Sequence, residues 1–146
     1  MIQHCLRARC IQIGRLGEIH TQKGYYIYIG SAFGPGGVRA RVNRHLRITD
    51  FRHWHIDYLR PFVQILEVWY SHDQVRREHQ WAEIFGLTPG LDIPLNGFGA
   101  SDCRCPAHLF FAEVPFSLEI FRSRICRAFP RHDLLEKYEV GDKYEL

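Results

Sequence analysis

The stretch from Gly24 to Arg47 constrains the fold more than any other part of the chain. It opens with aromatic and β-branched residues, Tyr25 to Ile29, a composition suited to a buried strand. Gly30 ends that run, and Gly34 to Gly37 (Gly-Pro-Gly-Gly) makes a loop that only glycine-rich backbone follows. A helix is predicted from Val38, because Val38, Val42 and Leu46 lie four apart on one face. Arg41 and His45 form a second row beside the apolar one. Strand, loop and helix together bring tyrosine hydroxyls near guanidinium and imidazole groups, which is the chemistry of a phosphate site.

Around this centre the pattern predicts a run of short elements. Cys5 to Gly14 reads as a strand, Leu16-Gly17 as a turn, and Glu18 to Gln22 leads into the Tyr-rich strand as an antiparallel meander. Phe62 to Tyr70 is rich in β-formers without Pro or Gly. Gln74 to Phe85 reads as a helix with Ser71 and Asp73 as candidate caps. Its apolar row, Val75, Ala82 and Phe85, also contains Glu78. A carboxylate there is costly unless a cation or a metal meets it, and Arg76 or Arg77 reaching over an edge position is the plainer alternative. Glu83 lies off that row. Gly86 to Ala107 is loop, Leu109 to Val114 a last strand, and Phe116 to Phe129 an amphipathic helix with Arg122, Arg124, Arg127 and Arg131 on a cationic side. The fold class is therefore α+β. A single domain over residues 1–130 is expected, a mainly antiparallel sheet of about three to five strands flanked by helices. Residues 131–146, with Glu136, Glu139, Asp142 and Glu145, form a polar acidic tail.

Charge adds a direction. The formal net charge of +3 hides ten Lys/Arg against three Asp/Glu over residues 1–60 and nine against thirteen over the rest. Most of the cations are arginine, which suits bidentate phosphate contacts. The basic half reads either as a polyanion-facing surface or as a solvated charged face. With 46% hydrophobic and 14% aromatic residues, the chain is not of the disordered class. Its apolar runs are too short to span a bilayer, so no membrane partner is expected. Met1 to Arg7 lacks the apolar core of a signal peptide. An odd count of five cysteines without a regular framework points to a reducing cytoplasm.

Two clusters carry further chemistry. In Phe51 to Leu59, Trp54, Ile56 and Tyr58 alternate with His53, His55 and Asp57. Either the aromatics close the core while His55 and Asp57 bond loop backbone, or a histidine and a carboxylate stand beside Arg41 at a phosphate. Cys103, Cys105 and His108 supply three zinc ligands as C-x-C-x-x-H. The common chelate is C-x-x-C and no second pair follows, so structural zinc is disfavoured against a turn on small thiols, with Cys126 or His132 the only considered fourth ligands. Ser31, His45 and Asp57 could be written as a hydrolase triad, but no G-x-S-x-G elbow frames the serine.

Four ordered motifs carry a resemblance: G-Y-Y-I-Y-I-G-S-A (Gly24–Ala32), R-x-x-R-H-L-R (Arg41–Arg47), H-W-H-I-D-Y-L (His53–Leu59) and G-F-G-A-S-D-C-R-C-x-x-H-L-F (Gly97–Phe110). Over roughly residues 10 to 112 the chain resembles the GIY-YIG nuclease superfamily, and within it a small stand-alone prokaryotic subfamily. That resemblance implies a GIY-YIG-like domain and an endonuclease that hydrolyses nucleic-acid phosphodiesters, DNA ahead of RNA, with a link to DNA repair. It implies Tyr28, Arg41, His45 and Glu78 as catalytic residues, with Glu78 holding Mg²⁺ or Mn²⁺. Arg39, Arg44, Arg47, His53 and His55 are the expected nucleic-acid contacts. Excision-repair relatives carry tyrosine where His45 stands and lysine where Ser31 stands. The superfamily's opening Gly-X-Tyr strand is expected about fifteen residues before Ile11, ahead of Met1. The alternatives are a nucleic-acid-binding module without cleavage and a zinc-stabilised interaction domain.

Overall fold

The computed structural model of the protein describes residues 1–141; Asp142 and Glu145 of the expected tail lie outside the described residues. In chain order the strands are β1 (Ile2–Cys5), β2 (Arg9–Ile13), β3 (Gly17–Thr21), β4 (Gly24–Tyr28), β5 (Gln64–Tyr70), β6 (Leu109–Ala112) and β7 (Glu136–Glu139). The helices are α1 (Gly37–Leu46), α2 (His55–Leu59), α3 (Glu78–Gly86) and α4 (Leu118–Ala128), with a 3-10 turn at Arg60–Phe62 after α2. Five strands pair antiparallel in the order β6-β4-β1-β5-β7, and β2 and β3 form a separate hairpin. The class is α+β.

The Tyr-rich run does not alternate between polar and apolar because both of its faces are covered. Tyr26 and Tyr28 pack with Ile11, Ile13 and Ile19 of the hairpin and Ile56 and Leu59 of α2. Ile27 and Ile29 pack on the other face with Ala82 and Phe85 of α3 and Phe121 and Ile125 of α4. There the Phe85 and Phe121 rings stack at 4.4 Å between centroids. Full burial of such side chains stabilises by about 1.5–3 kcal/mol each. Helix α1 lays Val42 and Leu46 on Ile65 and Val68 of β5, as the four-residue spacing predicts. An irregularity in the β1–β5 register lies between Ile2 and Gln3: Gln3 pairs with Ile65 but Ile2 with Glu67. The extra residue lets Ile65 and Val68, three apart, face the same helix.

Several expectations are corrected. Cys5 to Gly14 is not one strand: β1 ends at Cys5, and Arg9 begins β2. The meander is replaced by an inserted hairpin, since β4 pairs with β1 and β6 rather than with β3. The reason is burial: Ile11, Ile13 and Ile19 point one hairpin face into the core while Arg9, Gln12 and His20 stay exposed. The first strand, β1 (Ile2–Cys5), lies almost wholly ahead of the expected Cys5 to Gly14 run and takes the central position between β4 and β5. Helix α3 begins at Glu78, four residues after the expected start. Asp73 caps the turn before it instead, with Oδ1 accepting from the Val75 N–H, and Val75 is exposed. Residues 136–139 of the expected tail pair as β7 with Glu67 to Tyr70.

Candidate active-site cleft

The C-terminal end of β4, the far end of β5, and helices α1 and α3 enclose a cavity of about 120 Å³. Tyr28, Arg41, His45 and Glu78 all line it, so four side chains drawn from three separate segments meet in one place. Helices α1 and α3 cover opposite faces of the sheet, and the cleft crosses its end, where Gly30 and Ser31 leave β4. The glycine loop makes this possible. Gly36 sits at φ 82° before α1, and a Cβ there would come within 2.6 Å of the Ala40 Cβ. A Cβ at Gly30 would already touch the Arg41 guanidinium at 3.4 Å.

Three of the four groups, Tyr28, Arg41 and His45, pack against aromatic rings. The Arg41 guanidinium lies over the Trp54 ring at 4.0 Å, and its buried Nε has no hydrogen-bond partner among the described residues. His45 is 3% exposed, with its ring edge-on to Tyr28 at 5.7 Å; neither ring nitrogen finds a partner among the described residues. Burial lowers the His45 pKa to about 3, and the nearby Arg41 and Arg44 push the same way, so the ring is neutral near pH 7. Burial also raises the Tyr28 hydroxyl above its ordinary value. Arg41 pulls against this without reversing it. Glu78 opens α3, with its carboxylate 3.7 Å from Arg76 and 3.6 Å from His79. Buried polar atoms normally have partners, so orphaned nitrogens of Arg41 and His45 lining one cavity mark a place for water or an anion.

Asp57 organises the wall behind Arg41. Its two oxygens accept from both terminal nitrogens of Arg44 at 3.0 Å. Oδ2 also accepts from the His53 and Trp54 N–H groups at 2.9 and 2.8 Å. Burial opposes ionisation, but Arg44 and the two backbone N–H groups outweigh it and hold the carboxyl at about 2. The Arg44 guanidinium in turn lies over Trp54 at 3.6 Å. Trp54 thus carries both arginines, and Asp57 fixes Trp54 through its backbone.

The expected nucleic-acid contacts disperse. Arg44 is committed to Asp57 and stands behind the cleft rather than in it. Arg39 and Arg47 line a second groove beside Val63 and Gln64. His53 is exposed and stacks on Phe51, whereas His55 Nδ1 accepts from the Gly99 N–H, a structural bond. Residues 53 and 54 lead from a loop into α2, because Asp57 caps the backbone of the two residues before the helix. Ser31 lines the cleft, but Asp57 is engaged by Arg44, so no Ser-His-Asp relay forms.

A second cluster adjoins the cleft. Ligand atoms of His79, Cys103, Cys105 and His108 all lie within 4.8 Å of one another. Cys126 and His132 stand outside this group; His132 Nε2 accepts from the Trp81 indole instead. Sequence reasoning missed His79, because it sits on α3, far along the chain from the C-x-C-x-x-H run, and only the tertiary fold joins them. Another group, Cys10, Glu18 and His20, is wholly exposed on the hairpin.

A family model described as a domain of unknown function, DUF123, matches residues 1–129, and the chain belongs to that family. This corrects the family expectation: the motifs resemble GIY-YIG nucleases, yet the matching family is DUF123, and no GIY-YIG family model matches. No curated protein and no solved structure matches the chain. Among the described residues no helix is long and apolar enough to cross a membrane.

Proposed function

We propose that this chain hydrolyses nucleic-acid phosphodiesters, DNA ahead of RNA, in a reducing cytoplasm, with Mg²⁺ or Mn²⁺ as the metal. The observation that carries the reading is the cleft itself: Tyr28, Arg41, His45 and Glu78 line one cavity, with buried nitrogens of Arg41 and His45 unpartnered. An anion with several acceptor oxygens matches those donors, and the arginine-rich first half of the chain suits a polyanion.

Each residue has a role that its surroundings support. Arg41, pre-positioned on Trp54, binds phosphate oxygens and stabilises the charge that grows on them. Tyr28 keeps its proton and orients the attacking water. Neutral His45, weakened as a base first by burial and then by Arg41 and Arg44, offers an open lone pair that orients the water, and a bound phosphate offsets the arginines' share. Of the two carboxylates lining the cleft, Glu78 is the more loosely held, with Arg76 and His79 at 3.7 and 3.6 Å, whereas Asp73 is taken by Arg77 and two backbone N–H groups. One carboxylate and a phenol oxygen fit a hard cation that keeps most of its waters. When bound, such an ion supplies charge neutralisation at the leaving oxygen.

The test is incubation of the purified chain with branched, flapped and single-stranded substrates plus Mn²⁺, beside Glu78→Gln and Arg41→Ala. Cleavage lost in Glu78→Gln with binding retained supports the reading, and cleavage surviving that change removes Glu78 as the metal ligand. A second reading is binding without cleavage, favoured by the burial that keeps Tyr28 protonated and makes His45 a weak base. Salt-sensitive binding that never proceeds to cutting with either metal would establish it.

A further inference from the structure

We propose that His79, Cys103, Cys105 and His108 form a zinc site that ties the start of α3 to the loop preceding β6. Two thiols and two imidazoles make a borderline-soft set with no competing carboxylate among the four, and such an S₂N₂ set selects Zn²⁺. Around a tetrahedral Zn²⁺, ligand atoms lie roughly 3.3–3.8 Å apart, given metal bonds of about 2.0–2.3 Å. The four ligand atoms here already stand within 4.8 Å of one another, and Cys103 Sγ lies 3.5 Å from His108 Nε2. Closure asks for a contraction of about 1.5 Å at most, within the reach of side-chain rotation.

The frame that holds them is built before any metal arrives. The His108 N–H donates to the Phe98 carbonyl and the Gly97 N–H to the Pro106 carbonyl, both at 2.7 Å, which folds the loop back on itself. The Ile29 N–H donates to the His108 carbonyl and docks that residue onto β4. His108 is 3% exposed, and its ring lies 5.7 Å from that of His79 across the gap between loop and helix. The trio Cys10, Glu18 and His20 offers three ligands, all of them exposed.

Four protein ligands leave no open position, so the ion is structural. Its place gives it a consequence for the cleft. His79 follows Glu78 in α3, and Gly99 stands between His108 and Tyr28, where an added Cβ would come within 3.1 Å of the His108 Cβ and 3.3 Å of the Tyr28 ring. Zinc at this point would fix the helix turn that carries Glu78 relative to the strand that carries Tyr28. On binding, the two thiols release their protons to solvent and become thiolates.

The experiment measures metal directly, without nucleic acid, so its outcome is separate from that of the cleavage assay. The full-length reduced chain is assayed for zinc by elemental analysis, then stripped and titrated with Co²⁺. The expected result is about one zinc per chain and a Co²⁺ spectrum with thiolate charge-transfer and tetrahedral ligand-field bands. Cys103→Ser and Cys105→Ser should each abolish the charge-transfer pattern of the wild type. His79→Ala should weaken the affinity by roughly tenfold or more. His79 is exposed, so this variant keeps the test usable if the cysteine variants do not fold. Cys10→Ser and Cys126→Ser should leave the spectrum unchanged. Absence of cobalt–thiolate bands in the reduced chain, their undiminished intensity in Cys103→Ser, or unchanged affinity in His79→Ala would overturn the four-ligand site.

Discussion

Replacing Asp57 tests the wall of the cleft. Asp57 is 5% exposed and receives four hydrogen bonds, two from Arg44 and one each from the His53 and Trp54 backbones. Asp57→Ala strands two backbone N–H groups and a guanidinium lying over Trp54. Breaking a buried pair in this way costs about 3–5 kcal/mol, and the partial exposure of Arg44 places the loss near the lower end, about 3 kcal/mol. Asp57→Asn keeps an acceptor for the backbone and should lose less, about 1–2 kcal/mol. The carboxyl also links stability to pH. Its folded pKa, about 2 against 3.8, is depressed, so its contribution is fully present above pH 3.8 and is lost as pH falls towards 2. That contribution is on the order of 2 kcal/mol. Urea unfolding of the wild type and Asp57→Asn near neutral pH and again in acid measures both effects. The difference between the two proteins should shrink in acid. Stabilities of wild type and Asp57→Ala within about 0.5 kcal/mol of each other at neutral pH would refute the reasoning.

Three further outcomes are expected. His45 has a folded pKa of about 3 against 6.5, so the unfolded chain binds the extra proton and stability falls as pH drops below 6.5; in His45→Phe, pH-dependent unfolding should lose this component between those values, and cleavage should be lost with it. Gly99→Ala places a side chain at φ 72° against His108 and Tyr28, and thermal unfolding should show a loss of about 1–2 kcal/mol. If zinc fills the four-ligand cluster at about a thousandfold over its Kd, stripping it with a chelator removes about 4 kcal/mol. Calorimetry should then show the melting temperature fall by roughly ten degrees.

Local pattern made most of the elements legible. Glycine punctuation and four-residue spacing located β4 and α1, because both signals arise within a few residues of chain. Partner choice was not legible. Whether β3 or β1 lies beside β4 depends on which hairpin face finds Ile56 and Leu59, and that is a tertiary fact. The start of α3 was misplaced because Asp73 reads equally as a helix cap or as the cap of the turn before it. Its ion pair with Arg77 and its bond to the Val75 N–H decide for the turn.

The two arginines of α1 show where sequence reasoning about a site stops. Arg41 and Arg44 are three residues apart and carry the same charge, and both lie over Trp54. What separates them is one carboxylate. Asp57 neutralises Arg44 and turns it into a brace, while Arg41 keeps an unpartnered nitrogen in the cleft. Spacing within α1 contains nothing that assigns those roles; the assignment comes from α2, which the helix meets only in the folded chain. The same holds for His79, whose neighbours in sequence are a glutamate and a glutamine, and whose neighbours in space are two thiols and an imidazole. Charge type was therefore readable early, but charge availability was not, because it is set by which opposite charge the fold brings to each side chain.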